Sequence, residues 1–343
     1  MGIVGAGGFT VGRMLPNLVN LPGAEVTIVA NRSRESGDNV AEKFGIGRVE
    51  TDWHAVLEAD DVDAVFIGTP PALHLAVTLA ALEAGKHVLC QTRIATSAEE
   101  ARAMQAAADA ARSRGQRTML VPPAPWYRGA RYVQHLIQSG FVGHLRQVIG
   151  FNMNASFADP STPLSVGRND LALYGRFNAA QLGLSYDVMR QWTGDATSVV
   201  AHRSSFVTQR PATPGGPLVD NPYPDAVTAV AETSSGAEMI NVLNYSVYFG
   251  DSRIELYGDQ GTVVYRQRGD SIVGGHVGDD ALQPMPIPAE YDNPWRVEEE
   301  FVRLVRGEIA VPSFTFADGI ANMEYLEAAY YAGVEGRRMP VRA

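Results

Sequence analysis

Gly5, Gly7 and Gly8 fall in the run Gly5-Ala6-Gly7-Gly8-Phe9-Thr10, between the apolar stretch Gly2-Ile3-Val4 and a helical pattern through Met14, Leu15 and Leu18. Strand, glycine turn and helix in that order can cradle a pyrophosphate. Gly5 makes the tight turn, Gly7 lets backbone N–H groups approach, and the helix start adds partial positive charge. Thr10 stands where such turns usually carry a third glycine, a position that mainly sets helix–strand packing. The apolar run 25–30 ends in a second polar group, Asn31-Arg32-Ser33. There an acidic residue would grip a ribose 2′-hydroxyl, whereas a guanidinium with a hydroxyl suits a 2′-phosphate. The expected cofactor is therefore NADP(H), with NAD(H) the alternative. Glu35 tempers the positive charge, and Arg32 has other uses open to it, stacking on adenine in either cofactor or pointing to solvent. A glycine turn by itself also serves as an ordinary sharp bend in many α/β proteins.

These residues need a scaffold, and the chain up to residue 121 supplies one. Apolar strands are expected at 25–30, 64–69, 87–90 and 118–121, with helices between them. Pro70 and Pro71 open a helix with a stripe of Leu73, Val77, Leu79 and Leu82; Ser97-Ala98-Glu99-Glu100 is a capping box for a long Ala-rich helix. This alternation means a doubly wound parallel sheet. Past Pro122 the pattern changes. A helix ends at Gly140, and strands follow at 145–154, 197–208, 226–233, 237–248, 252–258 and 261–266, with Ser234-Ser235-Gly236 and Asp259-Gln260-Gly261 as hairpin turns. One helix, about 178–193, is embedded among them and another closes the chain at 317–335. The expectation is a domain of residues 1–121 and an α+β domain of residues 122–343 with a mostly antiparallel sheet. Segments 155–176 and 209–224, long and rich in Pro, Gly or Ser, are expected to line a site.

The bulk numbers narrow the function classes. The chain has 343 residues, 45% hydrophobic and 19% charged, which is globular composition. A net charge of −10 argues against nucleic acid or an anionic membrane as partner. The single cysteine, Cys90, excludes an internal disulfide and suits a reducing cytoplasm, and its place at a strand end reads as core rather than nucleophile. No leader pattern and no apolar run of spanning length is found. No His/Cys/Asp/Glu cluster has metal-ligand spacing, so no metal is expected.

Several further motifs run end to end: Thr69-Pro70 to His74, Ala84-Gly85-Lys86-His87-Val88-Leu89, Gly140-Phe141-Val142-Gly143, Ile254-Glu255-Leu256-Tyr257-Gly258 and Gly261-Thr262. With the glycine turn, these make the chain resemble the Gfo/Idh/MocA oxidoreductase family. The resemblance implies an N-terminal Rossmann domain, then a large open sheet that shields the nicotinamide and carries homo-oligomer contacts. It also implies hydride exchange with a sugar, cyclitol or similar small molecule. By the same resemblance Thr69, Pro70 and His74 lie by the cofactor, Gln91 keeps an amide where the family's glutamate meets the nicotinamide ribose, and Trp126 is the aromatic that follows the family's arginine position.

The resemblance breaks at the proton-transfer groups. Where the family has Glu-Lys-Pro this chain has Gln91-Thr92-Arg93. The family's aspartate and histidine on the embedded helix fall on Ala180 and Leu184, and its arginine on Pro125; no histidine lies between His144 and His202. An alcohol needs a base and a ketone an acid, and Thr92, Ala180 and Leu184 are poor at both. Asp187 is the nearest ionisable group on that helical face, weighted toward a supporting role, and Gln181 flanks the face and can orient a substrate. Thr92, Gln181 and Asp187 are thus the catalytic candidates, while Trp126, Tyr127, Tyr174, Arg176 and Asn178 are pocket candidates. The expected function is NAD(P)-dependent hydride transfer with a rebuilt proton site, on a carbonyl, imine, enone or sugar-like substrate. The alternatives are a lyase, hydratase or NAD-assisted glycosidase on the same scaffold, or a catalytically silent NAD(P)-binding regulator.

Overall fold

The computed structural model describes residues 1–122, 128–164, 170–177, 181–291 and 295–342. Its contacts form two compact units, Met1–Pro122 with Arg296–Ile320, and Pro123–Trp295 with Ala321–Ala343. The sequence reading groups 296–320 with the second domain; in the structure they cluster with the first unit. The reason is local bonding: Leu120 N donates to Phe314 O at 3.1 Å, Asn17 Nδ2 to the buried Glu298 at 3.3 Å, and Arg306 to Gly23 O at 3.0 Å.

The first unit holds six parallel strands: β1 (Gly2–Val4), β2 (Ile28–Ala30), β3 (Arg48–Glu50), β4 (Ala64–Ile67), β5 (His87–Cys90) and β6 (Thr118–Leu120). Their order, β3-β2-β1-β4-β5-β6, reverses direction between β1 and β4, and ligands of such sheets bind outside the carboxyl ends at that switch point. β1, β2 and β4 are buried throughout, as continuous apolar runs require when both sheet faces are covered. β2 is shorter than expected, beginning at Ile28 rather than Glu25.

Four helices follow strands of this sheet after α1 (Leu15–Leu18): α2 (Arg34–Phe44), α3 (His54–Glu58), α4 (His74–Glu83) and α5 (Ala98–Arg112). The turn into α1, Thr10–Met14, is π-helical. α2 starts at Ser33, whose Oγ accepts from Ser36 N, and stops at Gly45. On α4 the buried face is His74, Val77, Thr78, Ala81 and Leu82, while Leu73 and Leu79 are exposed. The expected stripe is therefore rotated: the i, i+3, i+4, i+7 set begins on a histidine, which a search for apolar spacing passes over. At α5, Ser97 Oγ caps Glu100 N as expected, but Glu100 Oε2 takes the N–H and hydroxyl of Thr96.

The second unit opens with α6 (Arg128–Gln138), β7 (Leu145–Met153), α7 (Leu171–Tyr174) and α8 (Leu182–Thr193). Then come β8 (Ala196–Ser204), the hairpin of β9 (Gln209–Pro211) and β10 (Leu218–Asp220), β11 (Ala226–Thr233), β12 (Glu238–Asn244), β13 (Arg253–Gly258), β14 (Gly261–Arg266), β15 (Ser271–His276) and β16 (Gln283–Pro284). α9 (Val297–Val305) belongs to the first unit, α10 (Phe316–Glu335) crosses from one unit to the other, and β17 (Met339–Pro340) ends the described chain. The large sheet runs β16-β15-β14-β13-β7-β12-β11-β8-β17. Among the described residues only β7–β12 is a parallel pair; the sheet's other pairings are antiparallel. α8 lies close on β7: a Cβ on Gly150 would stand 2.9 Å from Met189 Sδ and 3.0 Å from Ser185 Oγ. On the same face, buried Asn241 donates to Tyr325 of α10, whose ring stacks on Tyr186 of α8 at 4.0 Å.

Candidate functional site

The parallel ladder continues one residue past each strand. Gly5 N donates to Ala30 O, Gly68 N to Val4 O, Asn31 N to Glu50 O, Gln91 N to Ile67 O and Val121 N to Cys90 O, all at 2.8–3.0 Å. This brings Gly5, Asn31, Thr69 and Gln91 to one carboxyl edge. Gly5 has φ +86°, and a Cβ there would meet Thr69 N at 2.7 Å and Gly68 C at 2.9 Å. Behind it, a Cβ on Gly68 would lie 2.5 Å from both Gly5 O and Thr10 Oγ1. Gly7 and Gly8 are the opposite case: exposed, with no atom within 4 Å of an added Cβ. Gly5 is a packing requirement, whereas Gly7 and Gly8 leave open space in front of the turn, as an approaching pyrophosphate needs.

Two side chains brace the turn. Thr10, fully buried, donates its hydroxyl to Gly5 O at 3.1 Å, so the residue at the third-glycine position packs and bonds there. Asn31 Oδ1 accepts from Ala6 N at 2.7 Å. Sequence reasoning missed this second use of Asn31, because the contact spans two strand ends and no local motif encodes it. Phe9 is half-buried beside the turn. Arg32 is exposed and makes no hydrogen bond or ion pair among the described residues, while Arg34 is committed to Asp38 at 2.9 Å and Val49 O at 3.2 Å. Ser33 spends its Oγ on capping α2.

At the second edge Thr69 and Pro70 are half-buried and His74 is fully enclosed. His74 Nε2 lies 2.8 Å from Thr69 O and Nδ1 3.0 Å from Ile94 O. Burial holds its pKa below the usual imidazole value, against the opposing pull of the Thr69, Ile94 and Arg93 carbonyls and of Glu100. With its two nitrogens against backbone carbonyls, the His74 ring ties Thr69 to the segment after β5, which is a positioning role. Burial likewise raises the Cys90 thiol far above its normal range, leaving it inert as a nucleophile.

Thr92 donates its hydroxyl to Val121 O, and the Thr92–Arg93 peptide is cis. The amide of Gln91 is half-buried without a side-chain hydrogen bond among the described residues. In the second unit Gln181 is exposed just before α8, with its N–H on Tyr245 Oη at 2.9 Å and its Oε1 accepting from Asn152 at 3.1 Å. Asp187 lies fully buried farther along α8, so these two candidates occupy different environments. Leu184 is half-buried, Tyr174 half-buried and Arg176 exposed. Pro125, Trp126, Tyr127, Asn178 and Ala180 lie outside the described residues. Among the described residues no group of His, Cys, Asp and Glu is placed to hold a metal, and no helix is long and apolar enough to cross a membrane.

Comparison with known proteins bears on this arrangement. Residues 1–118 match the model of an oxidoreductase family with an NAD-binding Rossmann fold, and residues 130–264 match the GFO/IDH/MocA C-terminal domain. Levoglucosan dehydrogenase of Pseudarthrobacter phenanthrenivorans is 27% identical over 190 residues, 55% of this chain and 48% of the relative. A dTDP-3,4-didehydro-2,6-dideoxy-alpha-D-glucose 3-reductase of Streptomyces violaceoruber is 38% identical over 163 residues, 47% of this chain and 44% of the relative. The chain thus spans about half the length of these curated relatives. An oxidoreductase domain protein from Kribbella flavida shares the fold over 100% of this chain and 98% of its own, with TM-score 0.86 and 24% identity. With both of its halves matched by that family's models, the chain belongs to the Gfo/Idh/MocA oxidoreductases.

Proposed function

We propose that this chain is an NAD(P)-dependent oxidoreductase that exchanges a hydride with a small sugar-like substrate. The observation that carries the reading is the open cradle at Gly7 and Gly8, set at the switch point of the sheet and braced by Thr10 and Asn31. A bound nicotinamide dinucleotide would supply the hydride chemistry. Gly7, Gly8 and Phe9 would hold its pyrophosphate on the turn that Gly5 and Thr10 shape, and Gln91 would hold its nicotinamide ribose. Thr69 and Pro70 would form the adjoining wall with His74 bracing them from within, Trp126 being the aromatic that the family resemblance implies. The sugar named for each of the two relatives supports a sugar-like substrate. Thr92 and Leu184 stand where the family keeps its proton-transferring lysine and histidine. Proton exchange at the substrate oxygen is therefore assigned to water or to another side chain. A cytoplasmic site of action accords with the lone, buried Cys90.

The preference for NADP(H) over NAD(H) rests on Arg32, an exposed guanidinium that follows Asn31 rather than an acid at the strand end and makes no ion pair among the described residues. Titrating the protein against NADPH and NADH by nicotinamide fluorescence tests both levels of the reading. Failure to bind either dinucleotide removes the proposal. Arg32→Ala is expected to lower the NADPH/NADH affinity ratio about tenfold, the low end for one charge-assisted hydrogen bond because the side chain is exposed. An unchanged ratio assigns Arg32 to solvent. Turnover is then sought with anhydrosugars, aldoses and polyols by nicotinamide absorbance.

We further propose that the large sheet pairs with a second copy of the chain. Across its strands Val200, Val230, Ile240, Ile149, Glu255, Val264 and Val273 lie in one register row, on the face opposite α8. All but Glu255 are apolar, and Val200 is 38% exposed, a pattern that marks a surface for burial. Sedimentation equilibrium is expected to give a dimer or a multiple of one, and Ile149→Arg to shift it toward monomer. A parent protein that is monomeric at micromolar concentration would refute the pairing.

A further inference from the structure

The carboxyl end of β7 carries three side-chain amides in series, running from Asn154 through Asn152 to Gln181. The two ends of a carboxamide have nearly the same shape, so its direction is set by neighbours whose donor or acceptor character is fixed. One such neighbour is present. The backbone N–H of Ser156 can only donate, and it reaches Asn154 Oδ1 at 3.0 Å. Asn154 must then use Nδ2 as its donor, which reaches Asn152 Oδ1 at 3.3 Å. Asn152 Nδ2 in turn donates to Gln181 Oε1 at 3.1 Å. The polarity set by one peptide group passes through all three amides and leaves Gln181 Nε2 facing outward, with no partner among the described residues. The mounting is firm. Asn154 N donates to Asn244 O at 2.9 Å, Asn154 O accepts from Val247 N at 3.1 Å, and Gln181 N is held by Tyr245 Oη.

We propose that Gln181 presents its amide nitrogen as an uncharged donor to a neutral substrate oxygen, and that Asn152 and Asn154 are positioning residues that fix this direction. The inference rests on the function proposed above and takes Gln181 as a residue that orients its substrate. A carboxamide does not titrate, so Gln181 orients a carbonyl or hydroxyl oxygen and moves no proton. It selects oxygen acceptors over ammonium groups, which need the opposite polarity.

The test reverses the relay from a distance. In Asn154→Asp the new carboxylate accepts from Ser156 N but cannot donate, so Asn152 must turn its Nδ2 toward that carboxylate. Gln181 then meets Asn152 Oδ1 and must donate inward, showing Oε1 to the site. Asn152→Asp has the same consequence one step nearer. With glutamine selectively labelled with 15N, the Gln181 side-chain resonance is identified by its loss in Gln181→Glu. Both aspartate variants are expected to shift one of its protons downfield and slow its exchange; Asn154→Ala, which releases the direction without reversing it, is expected to give a smaller shift than either. With the sugar or polyol found by the turnover screen, kcat/KM for that substrate should fall at least about tenfold in both, at unchanged cofactor affinity and Tm. A resonance that stays in place, or a kcat/KM within twofold of the parent, overturns the proposal. A parent protein without dinucleotide binding sinks the underlying reading instead, and the resonance shift still decides the direction of the relay.

Discussion

Gly7→Ala is expected to leave stability unchanged while lowering NADPH affinity about 30-fold, and Gly5→Ala is expected to destabilise the fold itself. The two substitutions add the same methyl group two residues apart. At Gly7 it meets nothing within 4 Å, so the folded protein has no reason to object. The methyl fills the space through which backbone N–H groups reach the pyrophosphate, and one charge-assisted bond lost there is worth about 2 kcal/mol. At Gly5 the methyl meets Thr69 N at 2.7 Å and Thr69 Cγ2 at 2.8 Å, on a backbone with φ +86°. Left-handed geometry costs about 1–2 kcal/mol for an L-residue and overpacking about 1–3 more. Together these correspond to a Tm lower by roughly 5–15 °C. Urea denaturation and NADPH titration on both variants give the check. Equal loss of affinity without loss of stability at both positions would mean that the turn yields around Gly5, and the close packing of Gly5 on Gly68 would lose its meaning.

That contrast also shows what a sequence can carry. The glycine run was readable as a turn because strand, bend and helix are consecutive, and the parallel order followed from alternating apolar runs and helices. Strands buried on both faces, such as Ala64–Ile67, announce themselves by composition alone. Elements that bury a charged residue, or nothing at all, did not. The Gln209–Pro211 and Leu218–Asp220 hairpin lies in a segment that reads as loop, since its second strand is exposed at every residue. Val297–Val305 hides its periodicity behind Glu298-Glu299-Glu300, although Glu298 is buried against Asn17.

The site divides the same way. Gly5, Thr10 and the strand end at Asn31 were legible from local order, and Thr69 and Gln91 from the family resemblance. The bracing bond from Ala6 to Asn31 and the amide series from Ser156 to Gln181 were not, because each joins segments 25 or more residues apart at one of its links. Bonds between segments that far apart leave no periodic trace. Gln181 was visible only as a polar residue flanking a helix face; its direction comes from a peptide group in another segment. Arg210 illustrates the same limit, since an arginine inside a Pro- and Gly-rich stretch reads as surface and proves to be fully buried.

Asp225→Ala is expected to cost about 3–5 kcal/mol of stability, because it strands that buried guanidinium. The side chains of Arg210 and Asp225 are 0% and 2% exposed and meet at 3.1 Å. Arg210 also donates to Phe157 O at 2.6 Å and Asp159 O at 2.8 Å, while Asp225 Oδ2 accepts from Phe206 N at 2.6 Å and Val207 N at 2.9 Å. Removing the carboxylate leaves a cation held by two carbonyls and the face of the Phe157 ring, and two backbone N–H groups without an acceptor, a larger loss than any single neutral bond. Arg210→Met with Asp225→Leu removes both charges and should be less destabilised than the two single changes summed, and a urea double-mutant cycle measures the difference. A cost below about 1 kcal/mol for Asp225→Ala would mean that water reaches the pair. The ion pair fixes the carbonyl of Phe157, which also accepts from Ser246 Oγ at 3.1 Å, and Phe157 directly follows Ser156, the residue whose N–H sets the amide series. Loosening this anchor should therefore broaden the Gln181 resonance as well. Residues 154–159 then have their stability and their chemistry set by the same buried charges.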